Sequence, residues 1–286
     1  MTAPMTDDER TQLVRYTRPE RWPLLDRFPV SGDLHDRILA EILVDSPDDV
    51  RRRRHGLRSR AQHGAARLLA DPGYQESLRR LPFHGGDRLG WFELLTQTMR
   101  LAGTPGVTTH NLGLSGDTTA DALERFDLLE AFRPTHVLVM LGTNDARRHG
   151  RAVAHRMVTP TETRRNLEVL AELIRGTLHA QAVFITPPPA DQAAIDRHFA
   201  SDPVRWSAAD LDAVAEQVRL VSPAPIDLHR VLRDRSDGGW LDPDGVHLSA
   251  QGQLIAASTV AAGLAGGGPD GHTVAAAAAP GSGAGT

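Results

Sequence analysis

His136-Val-Leu-Val-Met-Leu-Gly-Thr-Asn-Asp145 is the stretch on which the fold turns. From Val137 to Leu141 the side chains are apolar without alternation. A strand with one wet face alternates apolar and polar residues. An unbroken run therefore predicts a strand over 136–141 covered on both faces, as in a parallel sheet between helices. Gly142, Thr143, Asn144 and Asp145 follow directly, just past the strand's C-terminal end, where open α/β sheets build their sites.

The flanks repeat the pattern. Upstream, Val107 to Leu112 reads as a strand and Ala120 to Phe132 as a helix that stops before Pro134. Downstream come a long helix over Thr161 to Leu178 and a strand over Ala182 to Thr186, ended by Pro187-Pro-Pro189. A helix over Ala208 to Leu220, a short strand around Ile226 and a closing helix over Ala250 to Leu264 complete the series. Strands alternating with helices predict an α/β domain with a parallel sheet.

The chain before about residue 80 differs, reading as helical and polar. Leu34, Ile38, Leu39, Ile42 and Leu43 recur at helical spacing after Ser31-Gly-Asp33. Ser46-Pro-Asp-Asp49 forms a helix N-cap with proline at the first helical position. Arg51 to Arg54 lie on that helix, a run that reads as a solvated face in preference to a dock for an acidic partner. Helical character continues through Gly64 to Ala70 and ends at Asp71-Pro-Gly73. From Ala265 the composition collapses into Gly, Ala, Pro and Ser, which bury too little apolar surface to order a tail. The expected organisation is a helical extension over 1–80, an α/β domain over 81–264 and a disordered tail over 265–286.

Composition narrows the chemistry. The 286 residues are 40% hydrophobic and 24% charged, ordinary for a soluble globular chain. A formal charge of −4 carries no electrostatic footprint for nucleic acid or anionic membrane. All 32 basic residues are arginine, which excludes lysine Schiff-base and lysine phosphate-binding chemistry. With no cysteine, disulfides, thiolate catalysis and thiolate metal sites are excluded too. Met1 to Arg21 is charged from Asp7 and lacks the apolar core of a signal peptide; Leu254 to Leu264 is too short and alanine-rich to span a bilayer. A cytoplasmic protein without membrane or nucleic-acid partners is the expectation. His149, His155 and His179 are scattered without ligand-pair spacing, so neither metal nor cofactor is expected.

Three segments place polar groups beyond strand ends. Asn111-Leu-Gly-Leu-Ser-Gly-Asp-Thr-Thr119 carries glycines at 113 and 116, and a free N–H at Gly116 would point into a site at a helix start. The plain alternative is a strand-to-helix loop with Asp117 or Thr118 as N-cap. In Gly142-Thr-Asn-Asp145 the Asn144 amide is a natural donor to a developing oxyanion. The plain alternative there is an Asx turn with Asp145 capping the next helix. In Asp242-Pro-Asp-Gly-Val-His-Leu-Ser249 the Asp244 carboxylate lies three residues from His247, close enough to orient the imidazole and stabilise its protonated form. Its plain alternative is a Pro-Gly turn bearing one of the chain's 13 histidines.

Taken in this order and with these gaps, from about Trp91 to Leu264, the three segments resemble the SGNH (GDSL-type) ester hydrolases. The resemblance implies a three-layer α/β/α fold with a parallel, flavodoxin-like sheet, here preceded by the helical extension. It also implies Gly116 and Asn144 as oxyanion-hole donors, His247 as general base and Asp244 as its orienting acid. The implied reaction is hydrolysis of small acyl or carbohydrate esters by Ser-His-Asp-type chemistry, on a small-molecule ester substrate and without a cofactor. Oligomeric state stays open.

The nucleophile of that scheme has no residue in the expected place. The family's first strand ends in Gly-Asp-Ser shortly before the helix that begins near Trp91. Here the segment reads Leu81-Pro-Phe-His-Gly-Gly-Asp-Arg-Leu-Gly-Trp91, with Gly86-Asp87 followed by Arg88 and no serine between Leu78 and Trp91. Roughly a dozen residues, a strand and its turn, are missing from the pattern. Leu78 to Phe83 makes a poor substitute strand, because Pro82 cannot donate to a central ladder. Ser46 reads as an N-cap, Ser77 lies in a charged helical context, and Ser115 belongs to the glycine loop. The alternatives are therefore a ligand-binding pseudoenzyme that keeps the pocket, or an internally deleted variant of such a hydrolase.

Overall fold

Val137 to Leu141 are covered on both faces, as their lack of alternation requires. The computed structural model describes residues 5–7, 10, 11, 14, 32–43, 45–70, 90–101, 108–200 and 204–265. At its centre β1 (His136–Val139) pairs in parallel with β4 (Gln181–Phe184), in register from His136 opposite Gln181 to Val139 opposite Phe184. A parallel bridge from Ile185 to Ile226, just before the short helix α9 (Leu228–Arg233), extends the sheet beyond β4. The order β1, β4, Ile226 requires crossovers, and these are helical.

Successive side chains of the two strands enter different cores. Val137, Val139, Leu141, Ala182 and Phe184 pack with Leu167, Leu170 and Ile174 of α6 (Pro160–Gly176) and Val218 of α8 (Ala208–Val221). Leu138, Met140, Val183 and Ile185 pack on the other side with Leu95 and Met99 of α3 (Trp91–Leu101) and Ala256 and Val260 of α10 (Ala250–Leu264). This arrangement is the three-layer α/β/α architecture with a parallel sheet.

Helix ends follow their sequence signals. Ser46 caps α2 (Pro47–Leu69) by accepting from the Asp49 N–H at 3.1 Å. Thr159 caps α6 by accepting from Glu162 N–H at 3.2 Å. Ser249 caps α10 by accepting from Gly252 N–H at 3.1 Å. Each bond satisfies an otherwise orphaned donor of a first helical turn.

The N-terminal helices α1 (Gly32–Leu43) and α2 form a hairpin around Val14, Leu39, Leu43, Val50 and Leu57. The far end of α2 approaches α3 and α10, so closely that a Cβ on Gly64 would lie 2.8 Å from Leu94. Residues Arg51 to Arg54 are not a bare basic patch. They face Asp36, Asp48, Asp49, Asp7 and Asp45, for example Arg53 to Asp7 at 2.7 Å. Such exposed pairs add little stability individually, but they leave no spare charge for an acidic partner.

Three sequence expectations are corrected. The strand expected over Val107 to Leu112 does not extend over 109–112; Thr108 takes part in a β-bridge, and Val107 lies outside the described residues. Asn111 Oδ1 instead accepts from Gly113 N–H at 3.1 Å, a local turn that competes with ladder pairing. The helix expected over Ala120 to Phe132 is two short ones, α4 (Thr119–Glu124) and α5 (Asp127–Glu130). The break falls at Arg125, which turns toward Asp117 and Leu112 O, while Phe126 dips into the α6 core. Finally, the spans Arg147 to Pro160 and Pro187 to Trp206, to which the sequence pattern assigns no strand or helix, hold ordered structure. Strands β2 (Arg148–His149), β3 (Ala152–Arg156) and β5 (Val204–Arg205) make a small antiparallel sheet in the order β3, β2, β5, and α7 (Gln192–His198) precedes β5 in the chain. Asp210, buried in the first turn of α8, holds this sheet through Arg148 and Arg156.

The segment Leu81 to Leu89, Ser77 and the tail from Gly266 lie outside the described residues. No helix among the described residues is long and apolar enough to cross a membrane.

Candidate active site

The loop after β1 is held at every residue. Gly142 takes φ +112°, and a Cβ there would lie 2.3 Å from Val214 Cγ1 on α8, so only glycine fits. The Trp206 indole N–H donates to Thr143 O at 2.8 Å. Asp145 is fully buried and accepts from the Thr119 N–H at 3.0 Å, the Thr119 hydroxyl, and the Thr163 hydroxyl at 3.1 Å. Asn166 Nδ2 in turn donates to Thr119 Oγ1 at 2.9 Å. Burial pushes the Asp145 carboxyl up from its ordinary range, against these hydrogen bonds. Asp145 is thus not an Asx cap on its own following helix. It ties the loop to the start of α4 and to the first turn of α6.

Within that frame Asn144 Nδ2 donates to Asp117 O at 3.0 Å, which brings the loop against the glycine loop. Gly116 takes φ +93°, and nothing lies within 4 Å of where its Cβ would be. Thr118, not Asp117, caps α4, in a capping box with Asp121. Asp117 pairs instead with Arg125; burial pushes its carboxyl up despite that partner. The two expected oxyanion donors, Gly116 and Asn144, therefore sit on loops joined directly by hydrogen bonds.

The third loop carries the imidazole. Asp244 Oδ2 accepts from His247 Nδ1 at 2.6 Å. Its other oxygen accepts from the Val246 and His247 main-chain N–H groups at 2.8 and 2.9 Å. The loop closes on itself through Asp242 N–H to His247 O at 2.7 Å and docks through Asp191 N–H to Gly245 O at 2.9 Å. Val246 buries in one cluster with Ala146, Val214 and Trp206, so the imidazole loop and the Asn144 loop share a hydrophobic anchor. The His247 side chain is 44% exposed, which leaves its ring edge accessible to a substrate. With Nδ1 donating to the carboxylate, Nε2 is the ring's acceptor nitrogen.

Burial alone would raise the Asp244 carboxyl. The His247 ring and the two main-chain N–H groups outweigh it and bring the group from its ordinary 3.8 down to about 2. A carboxyl depressed in the folded state contributes stability that is fully present above about pH 4 and lost as pH falls through about 2, here about 2 kcal/mol in all. The Asp244→Asn variant lacks this titration. Its deficit in thermal unfolding midpoint against wild type should be widest above about pH 4 and shrink toward about pH 2. A deficit that does not change with pH would refute the pairing.

Of the serines considered from sequence, Ser46 is engaged as a helix cap and also bonds Asp49, while Ser115 is exposed beside Gly116. No group of three or more His, Asp or Glu side chains able to hold a metal ion occurs among the described residues. Sequence reading missed Arg147, Trp206 and the Asp145–Thr119–Thr163–Asn166 network. Their partners are main-chain carbonyls or residues distant in sequence, which no spacing rule reveals.

Residues 73–255 match the model of the GDSL-like Lipase/Acylhydrolase family. Among solved structures, the acetyl xylan esterase AlAXEase is 18% identical with TM-score 0.48, over 66% of this chain and 94% of that one. A putative GDSL-like lipase from Parabacteroides merdae is 24% identical with TM-score 0.46, over 63% and 83%. The acetylxylan esterase Axe2 from Geobacillus stearothermophilus is 20% identical with TM-score 0.46, over 61% and 80%. No curated protein matches the chain.

Proposed function

The chain belongs to the GDSL-like lipase/acylhydrolase family, and on that premise we propose that it hydrolyses small acyl or carbohydrate esters with His247 as base and Asp244 as its orienting acid. The observation that carries the reading is the 2.6 Å Asp244–His247 pair on a loop anchored, through Val246 and Ala146, to the loop that bears Asn144.

In this reading an attacking oxygen gives its proton to His247 Nε2 and bonds to the ester carbonyl carbon. The carbonyl oxygen becomes an oxyanion and takes hydrogen bonds from Asn144 Nδ2 and the Gly116 N–H. Asn144 has two amide hydrogens, and one already goes to Asp117 O, so the other serves the oxyanion. As the tetrahedral species collapses, the carbon–oxygen bond to the leaving alcohol breaks and His247 returns the proton to that oxygen. Asp244 stays ionised throughout, consistent with its depressed carboxyl. In a Ser-His-Asp scheme the attacking oxygen is a serine hydroxyl, followed by water in a second round; the sequence between Leu78 and Trp91 holds no serine to supply it.

That last observation favours one other reading, a ligand-binding pseudoenzyme. The two separate on a single assay. Wild type should turn over 4-nitrophenyl acetate and lose rate as the acyl chain lengthens. Saturable binding of short-chain esters by folded protein without product release would establish the binding protein instead.

A further inference from the structure

We propose that Arg147 is the positioning residue of the oxyanion site, a brace that holds the Gly116 and Asn144 loops at a fixed separation; this rests on the ester-hydrolysis reading above. Arg147 Nε donates to Asn144 O at 3.1 Å, and its Nη2 donates to Gly116 O at 3.0 Å. One guanidinium thus spans the main chains of both expected donors, which lie on different loops joined otherwise by the Asn144–Asp117 bond and, one residue beyond Asn144, by Asp145 to Thr119.

The two donors need this brace to different degrees. Asn144 is flanked by Thr143, held by Trp206, and by Asp145, held in its hydroxyl cage. Gly116 is less supported: at φ +93° nothing lies within 4 Å of where its Cβ would be, and of its neighbours Asp117 is held by Arg125 while Ser115 is exposed. Its peptide is placed by hydrogen bonding, and Arg147 supplies the bond to its carbonyl. Oxyanion stabilisation depends on donors pre-set where charge develops, and a misplacement of about 1 Å can cost about 100-fold in rate.

The charge of Arg147 adds to this role. Neighbouring arginines spend theirs on carboxylates, Arg125 on Asp117 and both Arg148 and Arg156 on Asp210. Arg147 forms no salt bridge among the described residues: its hydrogen bonds go to main-chain carbonyls, and its charge reaches the Asp121 carboxylate only at longer range. A guanidinium fork can hold two carbonyls in fixed directions, which a lysine ammonium on a flexible stem cannot.

The test is steady-state hydrolysis of 4-nitrophenyl acetate by wild type, Arg147→Ala, Arg147→Lys, Asn144→Ala and the Asn144→Ala/Arg147→Ala double variant, with unfolding midpoints measured alongside. Arg147→Ala should lower kcat by about 10- to 100-fold with little change in KM. Arg147→Lys should recover only part of the loss, because it restores charge without the fork. In the Asn144→Ala background the same change should cost clearly less, since the brace then serves one donor. Wild-type turnover with an unchanged kcat in Arg147→Ala, full recovery in Arg147→Lys, or an equal loss in both backgrounds would overturn the brace alone. Absence of turnover in wild type would overturn it together with the ester-hydrolysis reading.

Discussion

Replacing His247 with alanine should lower kcat for a short-chain nitrophenyl ester by on the order of 10⁴- to 10⁶-fold, the range expected when the base of an acyl-transfer site is lost. The fold should survive. The imidazole is nearly half exposed, and Asp244 keeps its two main-chain N–H donors at 2.8 and 2.9 Å without it. Loss of one hydrogen bond at such a position costs about 1 kcal/mol, small beside a kinetic effect of this size. The comparison needs only initial rates and one thermal melt for each protein. A loss below about 10-fold in well-folded protein would place the base elsewhere, since general acid–base catalysis alone contributes more than that.

The second large effect is at Asn144. Its alanine variant should lose about 10²- to 10³-fold in kcat with KM little altered, because the amide is needed where charge develops and not in the ground state. Asn144→Asp is the sharper probe. It keeps the shape but turns a donor into a carboxylate facing an oxyanion, and should be at least as damaging as alanine. Stability is expected to change modestly, because Thr143 and Asp145 still fix the loop through Trp206, Thr119 and Thr163. A kcat within about threefold of wild type would remove Asn144 from the oxyanion site.

What could be read from sequence was local. The run over 136–141 declared two covered faces, and the structure divides its side chains between the α6/α8 core and the α3/α10 core. Asp244 and His247 were legible because three residues and a tight turn bring them together without help from the rest of the chain. Gly116 and Asn144 were singled out only through the order of motifs, and the structure adds that their loops are hydrogen-bonded to each other. Features made by distant partners were hidden. The β2–β3 hairpin depends on β5 and on Asp210, about sixty residues away. The break at Arg125 depends on Asp117 and on the core that receives Phe126. Arg147 reads in sequence as one more arginine in Arg147-Arg-His149, and only the fold reveals that it bridges main-chain carbonyls of two loops.

The central claim is that an attacking oxygen works against His247 and the paired oxyanion loops. An activated phosphonate ester that forms a stable adduct with nucleophilic hydroxyls tests that claim most directly, read by intact mass and then by peptide mapping of wild type and His247→Ala. One adduct per wild-type chain on a single serine, absent or far slower in the variant, is the predicted result, and the mapped peptide would identify the nucleophile. An unlabelled wild type, or equal labelling of the two proteins, would contradict it.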